Sequence, residues 1–221
     1  MILIGEKLNS SIPKTLEAFQ AKDNCDCGIM IDTTDPAVMA AGVQAAAGRG
    51  LILNSATITD RFEEVTQLAR ESGASVVGLP IDSEGMPHTA QEKCTKIDLL
   101  MGKLREAGIP DSRIYVDVLI ETLATDGESA KNAIAALRHV AANYPDAQTT
   151  CGLSNISFGV PRRSLINSAF VSAALSAGLT SAILDPASPA MQAALAASRV
   201  VAGQDDYCMD YITYIRSQEE E

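Results

Sequence analysis

The sequence predicts a parallel α/β barrel formed by one domain spanning residues 1–221. Short apolar segments rich in Ile, Leu and Val alternate with amphipathic or Ala-rich helical segments almost from end to end, the pattern of a parallel sheet with crossover helices. With 47% hydrophobic and only 4% aromatic residues, the 221-residue chain can build one sizeable core from Ala, Leu, Ile and Val. No linker, charge block or low-complexity tract divides it.

Strands are expected at residues 2–4, 29–32, 51–54, 75–79, 114–119, 150–154 and 181–185, each short and apolar. Helices are expected between and after them, at 13–21, 36–47, 61–72, 90–107, 128–143, 163–177 and 189–202. Turn chemistry supports these bounds. Gly48, Gly73, Gly108 and Gly178 stand just after helices, where a left-handed residue ends the last turn. Asp35-Pro36, Thr59-Asp60 and Ser188-Pro189 stand just before helices, as N-caps and first-turn residues. Met30, Met39, Met86, Met101 and Met191 fall in apolar stretches and are expected to pack in the core or its loops. Residues 207–211 are expected to cover the barrel or join a dimer contact, and the final Glu219-Glu220-Glu221 to be frayed.

Charge and composition exclude several function classes. A net charge of −11 with no basic stripe argues against nucleic acid or an anionic membrane as partner. No apolar run approaches the roughly 20 residues of a membrane span, and the start lacks the basic-then-apolar layout of a signal peptide. A cytoplasmic location follows as an expectation. Five irregularly spaced cysteines suit a reducing compartment, and Cys25-Asp26-Cys27 is too tight for a redox pair. The two histidines, His88 and His139, complete no ligand set, so no metal site is expected.

The ends of the strands carry the functional signal. Glu6 and Asn9 follow the first strand, Asp32 and Asn54 end the next two, Asp117 lies in the fifth, Asn155 ends the sixth and Asp185 the seventh. In a closed parallel barrel these ends open onto one mouth. Each could instead cap the following helix, as Asp and Asn often do. The sixth strand adds the polar tip Ser154-Asn155-Ile156-Ser157 and then Arg162-Arg163, bringing amide, hydroxyl and guanidinium donors to one place. Amides and carboxylates with little positive charge, and no Gly-rich phosphate loop, suit a flat heterocycle with its own donors and acceptors, such as a pterin.

Gly5-Glu6-Lys7-Leu8-Asn9, Ile31-Asp32-Thr33-Thr34, Leu53-Asn54-Ser55, Val77-Gly78-Leu79-Pro80 with Gly85-Met86-Pro87, Ile114-Tyr115-Val116-Asp117, and Gly152-Leu153-Ser154-Asn155-Ile156-Ser157 with Arg163-Ser164-Leu165-Ile166-Asn167 together resemble the methyltetrahydrofolate:corrinoid protein methyltransferases. The resemblance runs in order over most of the chain. It implies a pterin-binding TIM (β/α)8-type barrel that moves a methyl group between N5 of tetrahydrofolate and the cobalt of a corrinoid (cobalamin) on a partner protein. By the same resemblance 5-methyltetrahydrofolate is the substrate and the protein is a homodimer. Asp32, Asn54 and Asp117 would read the pterin, with Glu6, Asn9, Gly152, Ser154 and Ser157 as further substrate contacts. Asn155 would approach N5 and Arg163 would assist it. A dihydropteroate synthase-like condensation and a non-catalytic pterin-binding or docking module are the alternatives.

Three departures stand out. Only residues 21–28 separate the first helix from the strand ending in Asp32, which leaves seven strands where a closed barrel takes eight. A strand-helix unit near residues 21–28 is therefore missing: through omission of a stretch of a longer chain, through a deletion, or because the barrel closes differently. The first is expected, because losing one strand exposes an edge on each neighbour. Val118 follows Asp117 where the family often has Pro, and Phe158 occupies an often polar position, where it either stacks on a ring or packs under its loop.

Overall fold

The computed structural model describes residues 28–46 and 50–219. Five parallel strands, β1 (Ile29–Asp32), β2 (Leu51–Thr57), β3 (Ser75–Leu79), β4 (Ile114–Asp117) and β5 (Gln148–Thr150), pair in chain order. The next segment extends the edge, with Ser181 N donating to Thr149 O (3.0 Å), Ile183 N to Cys151 O (2.8 Å) and Leu153 N to Ile183 O (3.1 Å). The strand expected at 181–185 is thus present as a short ladder with one parallel bridge, Gly152 to Ile183. The expected strand at 2–4, the helix at 13–21, Glu6, Asn9 and the 21–27 stretch lie outside the described residues.

Helices α1 (Pro36–Ala45), α2 (Phe62–Ser72), α3 (Ala90–Glu106), α4 (Ser129–Asn143), α5 (Arg163–Ser176) and α6 (Pro189–Val201) lie within two residues of the expected bounds. Asp35 caps α1 by accepting from Ala37 N (2.9 Å) and Val38 N (3.4 Å), with Pro36 in the first turn. Thr89 and Glu92 form a reciprocal capping box on α3, and Ser188 caps α6. Gly73, Gly108 and Gly178 all adopt positive φ just after helices.

The structure corrects four local expectations. Thr59-Asp60 does not cap α2; Thr57 Oγ1 binds Asp60 through both its N–H and its carbonyl, and Arg61 takes the N-cap position in a left-handed conformation. The strand expected at 114–119 stops at Asp117, because Leu119 turns to φ +53. The strand expected at 150–154 stops at Thr150, and Leu153–Ser157 instead winds into a 3-10 helix. Met209–Glu219 forms a further helix, α7, where only a cover or contact segment was expected.

Strand parity sorts the apolar residues into two cores. Ile31, Leu53, Val76, Ile114 and Val116 pack outward against the helices, while Met30, Ile52 and Val77 form an inner cluster with Leu79, Tyr115 and Ile183 around it. Met30, Met39, Met101 and Met191 are buried, as expected of packing residues. Gly78 allows the outer layer to close: a Cβ there would stand 2.8 Å from Leu100 Cδ2. The inner cluster is the floor of the barrel, and whatever follows it on the same face stands at the mouth.

Candidate functional site

At the ends of β1, β2 and β4 a polar group of the same parity follows the inner cluster. Asp32 follows Met30, Asn54 follows Ile52 and Asp117 follows Tyr115. Asp32 and Asn54 are direct register partners across β1 and β2, so carboxylate and amide stand side by side. The ladder then shifts between Asn54 and Ala56, where the Asn54–Ser55 peptide is cis. None of the three is the N-cap of the helix that follows: those positions belong to Asp35, Arg61 and Glu128. For Asp32, Asn54 and Asp117 the structure therefore decides against helix capping.

Asp117 is half-buried, and its Oδ1 accepts from Leu119 N at 2.8 Å. Burial pushes its carboxyl up to about 6, opposed by the Leu119 amide and the Lys93 ammonium. A carboxylate so placed accepts hydrogen bonds strongly, because little water competes for it. Its register partner Thr150 is fully buried and has no hydrogen-bond partner for Oγ1 among the described residues. Val118, at the family's frequent Pro position, uses the amide that Pro would lack: its N–H donates to Thr150 O at 3.2 Å.

The 3-10 tip carries the second group of residues. Asn155 is exposed, its N–H donating to Gly152 O (3.0 Å) and its carbonyl accepting from Phe158 N (3.1 Å). A Cβ on Gly152 would lie 2.9 Å from Asn155 Nδ2, so glycine at this position leaves room for the amide to fold back over the strand end. Arg163, the first residue of α5, donates from Nη2 to Ser154 O (2.7 Å) and from Nε to Ser157 Oγ (3.0 Å). It clamps the backbone of the tip, contacting Ser154, Ser157 and Phe158.

Phe158 is 67% exposed, with the Arg163 guanidinium 5.7 Å from its ring centroid, so packing under the loop is excluded. The loop after β4 braces the same tip, through Leu123 N to Ile156 O (3.0 Å) and Thr122 Oγ1 to Phe158 O. The Asp117 and Asn155 regions are thereby mechanically joined. Beside the tip, Ser154, Arg163, Asn167, Asp185 and Ser188, together with Ala190 and Met191, line a cleft of about 260 Å³. Asp185 accepts from Ala187 N (2.9 Å) at its edge.

Two residues near this mouth were missed in the sequence. Lys93 is only 1% exposed, and its Nζ donates to Val118 O (3.2 Å) and Leu119 O (2.6 Å), directly behind Asp117. The signal was its place on the stripe Lys93, Ile97, Leu100, Met101, Leu104, the buried face of α3. Thr150 stood inside an expected strand, and only the register shows that it adjoins Asp117.

The family model for pterin binding enzymes matches residues 10–185. A methylcorrinoid:tetrahydrofolate methyltransferase of Eubacterium limosum is 25% identical over 256 residues, covering 96% of this chain and 94% of that protein. That match is longer than the 221 residues available here, so the relative contains residues with no counterpart in this chain, in keeping with a missing barrel unit. A methionine synthase of Mycobacterium tuberculosis is 40% identical over 169 residues, which cover 71% of this chain and 14% of the synthase. The dihydropteroate synthase of Coxiella burnetii, solved in complex with pteroic acid, superposes with a TM-score of 0.66 at 17% identity, covering 90% of this chain and 78% of that one. At that identity the likeness speaks to fold alone, a TIM-type barrel. With the family model matched over most of its length and its polar residues gathered at the barrel mouth, this chain belongs to the pterin-binding enzyme family.

Proposed function

We propose that this protein is a methyltransferase that moves a methyl group between N5 of tetrahydrofolate and the cobalt of a corrinoid carried by a partner protein. The observation that carries this reading is the pairing, at one barrel mouth, of a half-buried carboxylate at Asp117 with an exposed, clamped amide at Asn155. The similarity to a methylcorrinoid:tetrahydrofolate methyltransferase over nearly the whole chain supports it.

In this reading Asp117 accepts two N–H groups from the amino-pyrimidinone edge of the pterin, with Asp32 and Asn54 completing recognition along the adjacent strand ends. Gly152, Ser154 and Ser157 shape the opposite rim. Asn155 addresses N5. A tertiary amine leaves poorly, so the C–N5 bond breaks readily only when N5 carries positive charge as the methyl departs. An amide can accept from protonated N5 and donate to the free amine, following the nitrogen through the step. Arg163 holds the backbone that carries this amide, and Asn155 is exposed on the side from which a large partner must approach. The corrinoid cobalt, as the partner's cargo, supplies the nucleophile or the methyl donor, so the protein needs no covalent nucleophile of its own. Alignment of the two cofactors supplies much of the remaining acceleration.

The dihydropteroate synthase-like alternative calls for a lysine and an arginine on the late strands. Here Arg163 begins α5 and is engaged by Ser154 and Ser157, and β5 with its tip contains no lysine. The test is to mix the protein with 5-methyltetrahydrofolate and cob(I)alamin, or a reduced corrinoid protein, and follow the Co(I) absorbance. Consumption of Co(I) dependent on both protein and methyl donor is expected. Tight binding of 5-methyltetrahydrofolate without turnover, even with a corrinoid protein, removes the methyltransferase reading in favour of a pterin-binding module.

A further inference from the structure

Lys93 is the most deeply buried charged side chain described, and the proposed mechanism gives it no direct part. An unpaired lysine at 1% exposure carries a large desolvation cost, so its surroundings must answer for it. Its ammonium donates to two consecutive carbonyls, Val118 at 3.2 Å and Leu119 at 2.6 Å. Leu119 adopts φ +53, a conformation that non-glycine residues seldom hold unless neighbours enforce it. The amide of that same residue donates to Asp117 Oδ1 at 2.8 Å. A continuous chain therefore runs from α3 to the end of β4: ammonium to carbonyl, through one left-handed residue, to amide and carboxylate.

We propose that Lys93 is a positioning residue of the pterin site, holding the left-handed Leu119 turn that aims the Asp117 carboxylate into the barrel mouth. This rests on Asp117 being the pterin-reading carboxylate. A second effect follows from the same placement. Burial drives Asp117 toward its neutral form, and the Lys93 charge opposes that, so Lys93 helps keep the carboxylate ionised near neutral pH. Burial lowers the Lys93 pKa, and Glu121, Asp117 and Asp126 at and after the end of β4, with Glu92 on α3, oppose that and favour the charged lysine; Cys151 after β5 also faces the pair, its thiol held well above its ordinary range by burial and by Asp117.

The deciding experiment reads Asp117 without any ligand, so its outcome does not depend on the proposed reaction. The ¹³C carboxyl signal of Asp117, assigned by its loss in Asp117→Asn, is followed against pH in wild type, Lys93→Arg, Lys93→Gln and Lys93→Met. Lys93→Arg is expected to keep the wild-type midpoint, while the Gln and Met variants raise it by about one pH unit or more, as loss of a nearby opposite charge should. An unchanged midpoint in a folded Gln or Met variant overturns the proposal. If neither folds, the wild-type ¹⁵Nζ signal of Lys93 decides: a shift sharing the Asp117 midpoint supports the coupling, and no shift through that pH range overturns it.

The binding arm then uses 5-methyltetrahydrofolate as the probe. For a one-unit displacement of the midpoint Lys93→Gln should bind about twofold more weakly at pH 7 and about tenfold more weakly at pH 5, and Lys93→Arg should restore both. A uniform loss at every pH, with no displaced midpoint, reduces Lys93 to a structural residue. If wild type does not bind the probe while the NMR midpoints behave as expected, the pterin assignment has failed and the Lys93–Asp117 coupling stands.

Discussion

The end of β4 and the tip after β5 face the same mouth, but they are built in opposite ways. At β4 the working side chain is half-buried, held by its neighbour's amide and backed by a buried lysine. At the tip the working side chain is exposed, and the rigidity lies beneath it, in an arginine that grips backbone and hydroxyl. Under the proposed function the contrast follows from what each group would do. Recognition of a heterocycle edge gains from desolvation, which strengthens every hydrogen bond made there. A reacting centre that must also meet a second large cofactor has to stay open to approach, so its order comes from the scaffold.

The largest expected effect is at the tip. Asn155→Ala should lower turnover by roughly 10²–10³-fold while changing the Kd for 5-methyltetrahydrofolate by no more than about threefold, because its contact strengthens as N5 gains charge. Stopped-flow rates beside calorimetric Kd values check this, and a pure binding defect would reassign Asn155 to recognition. Asp117→Asn should do the reverse, weakening binding by about 10–100-fold, the range for losing charge-assisted hydrogen bonds. In wild type the same affinity should fall as pH drops through about 6, since the carboxylate takes up a proton there. A flat affinity between pH 5 and 8 would mean that Asp117 does not read the ligand.

A smaller effect is expected from Gly152→Ala. Its new methyl would meet Asn155 Nδ2 at 2.9 Å, so the amide must move and turnover should fall about tenfold with binding intact. Equal turnover in the two proteins would show that the amide's present position is not the working one.

The smallest effect concerns stability. The Asp117 carboxyl is raised from its ordinary value of 3.8 to about 6 in the folded chain, so between those values the folded state binds the proton more tightly than the unfolded state. The stabilising contribution is present below about pH 4 and is lost as pH rises through about 6. Ligand-free Asp117→Asn should therefore be more stable than wild type near pH 7.5, by on the order of 1–3 kcal/mol, with the gap closing toward pH 4. Thermal melts at the two pH values measure it. A variant less stable than wild type at pH 7.5 would contradict the sign.

Most of the scaffold was legible because its signals are local and periodic. Alternating apolar runs and helix-ending glycines located β1, β3 and α1 through α6, and parity along the strands alone brings Asp32, Asn54 and Asp117 to one face. The tip was not legible as a helix. Cys151-Gly152-Leu153 continues an apolar run, whereas Ser154, Asn155 and Ser157 favour local turns whose final shape depends on Arg163 reaching back from α5. Helix α7 was hidden for another reason: its half-buried side is only the short stripe Tyr211, Tyr214 and Ile215, with Met209 and Ile212 exposed, and Asp205 starts it by accepting from Asp210 N and Tyr211 N. Lys93 escaped notice because lysine in an amphipathic helix is usually solvated, and only its position on the buried stripe distinguishes it.

The division between recognition at β4 and reaction at the tip is tested most directly by the single-turnover rate of methyl transfer at saturating 5-methyltetrahydrofolate, compared in wild type, Asp117→Asn and Asn155→Ala. With binding forced to completion, Asp117→Asn should recover to within a few-fold of wild type, while Asn155→Ala stays slower by roughly 10²-fold or more. An Asp117→Asn protein as slow as Asn155→Ala at saturation, or an Asn155→Ala protein as fast as wild type, would contradict that division.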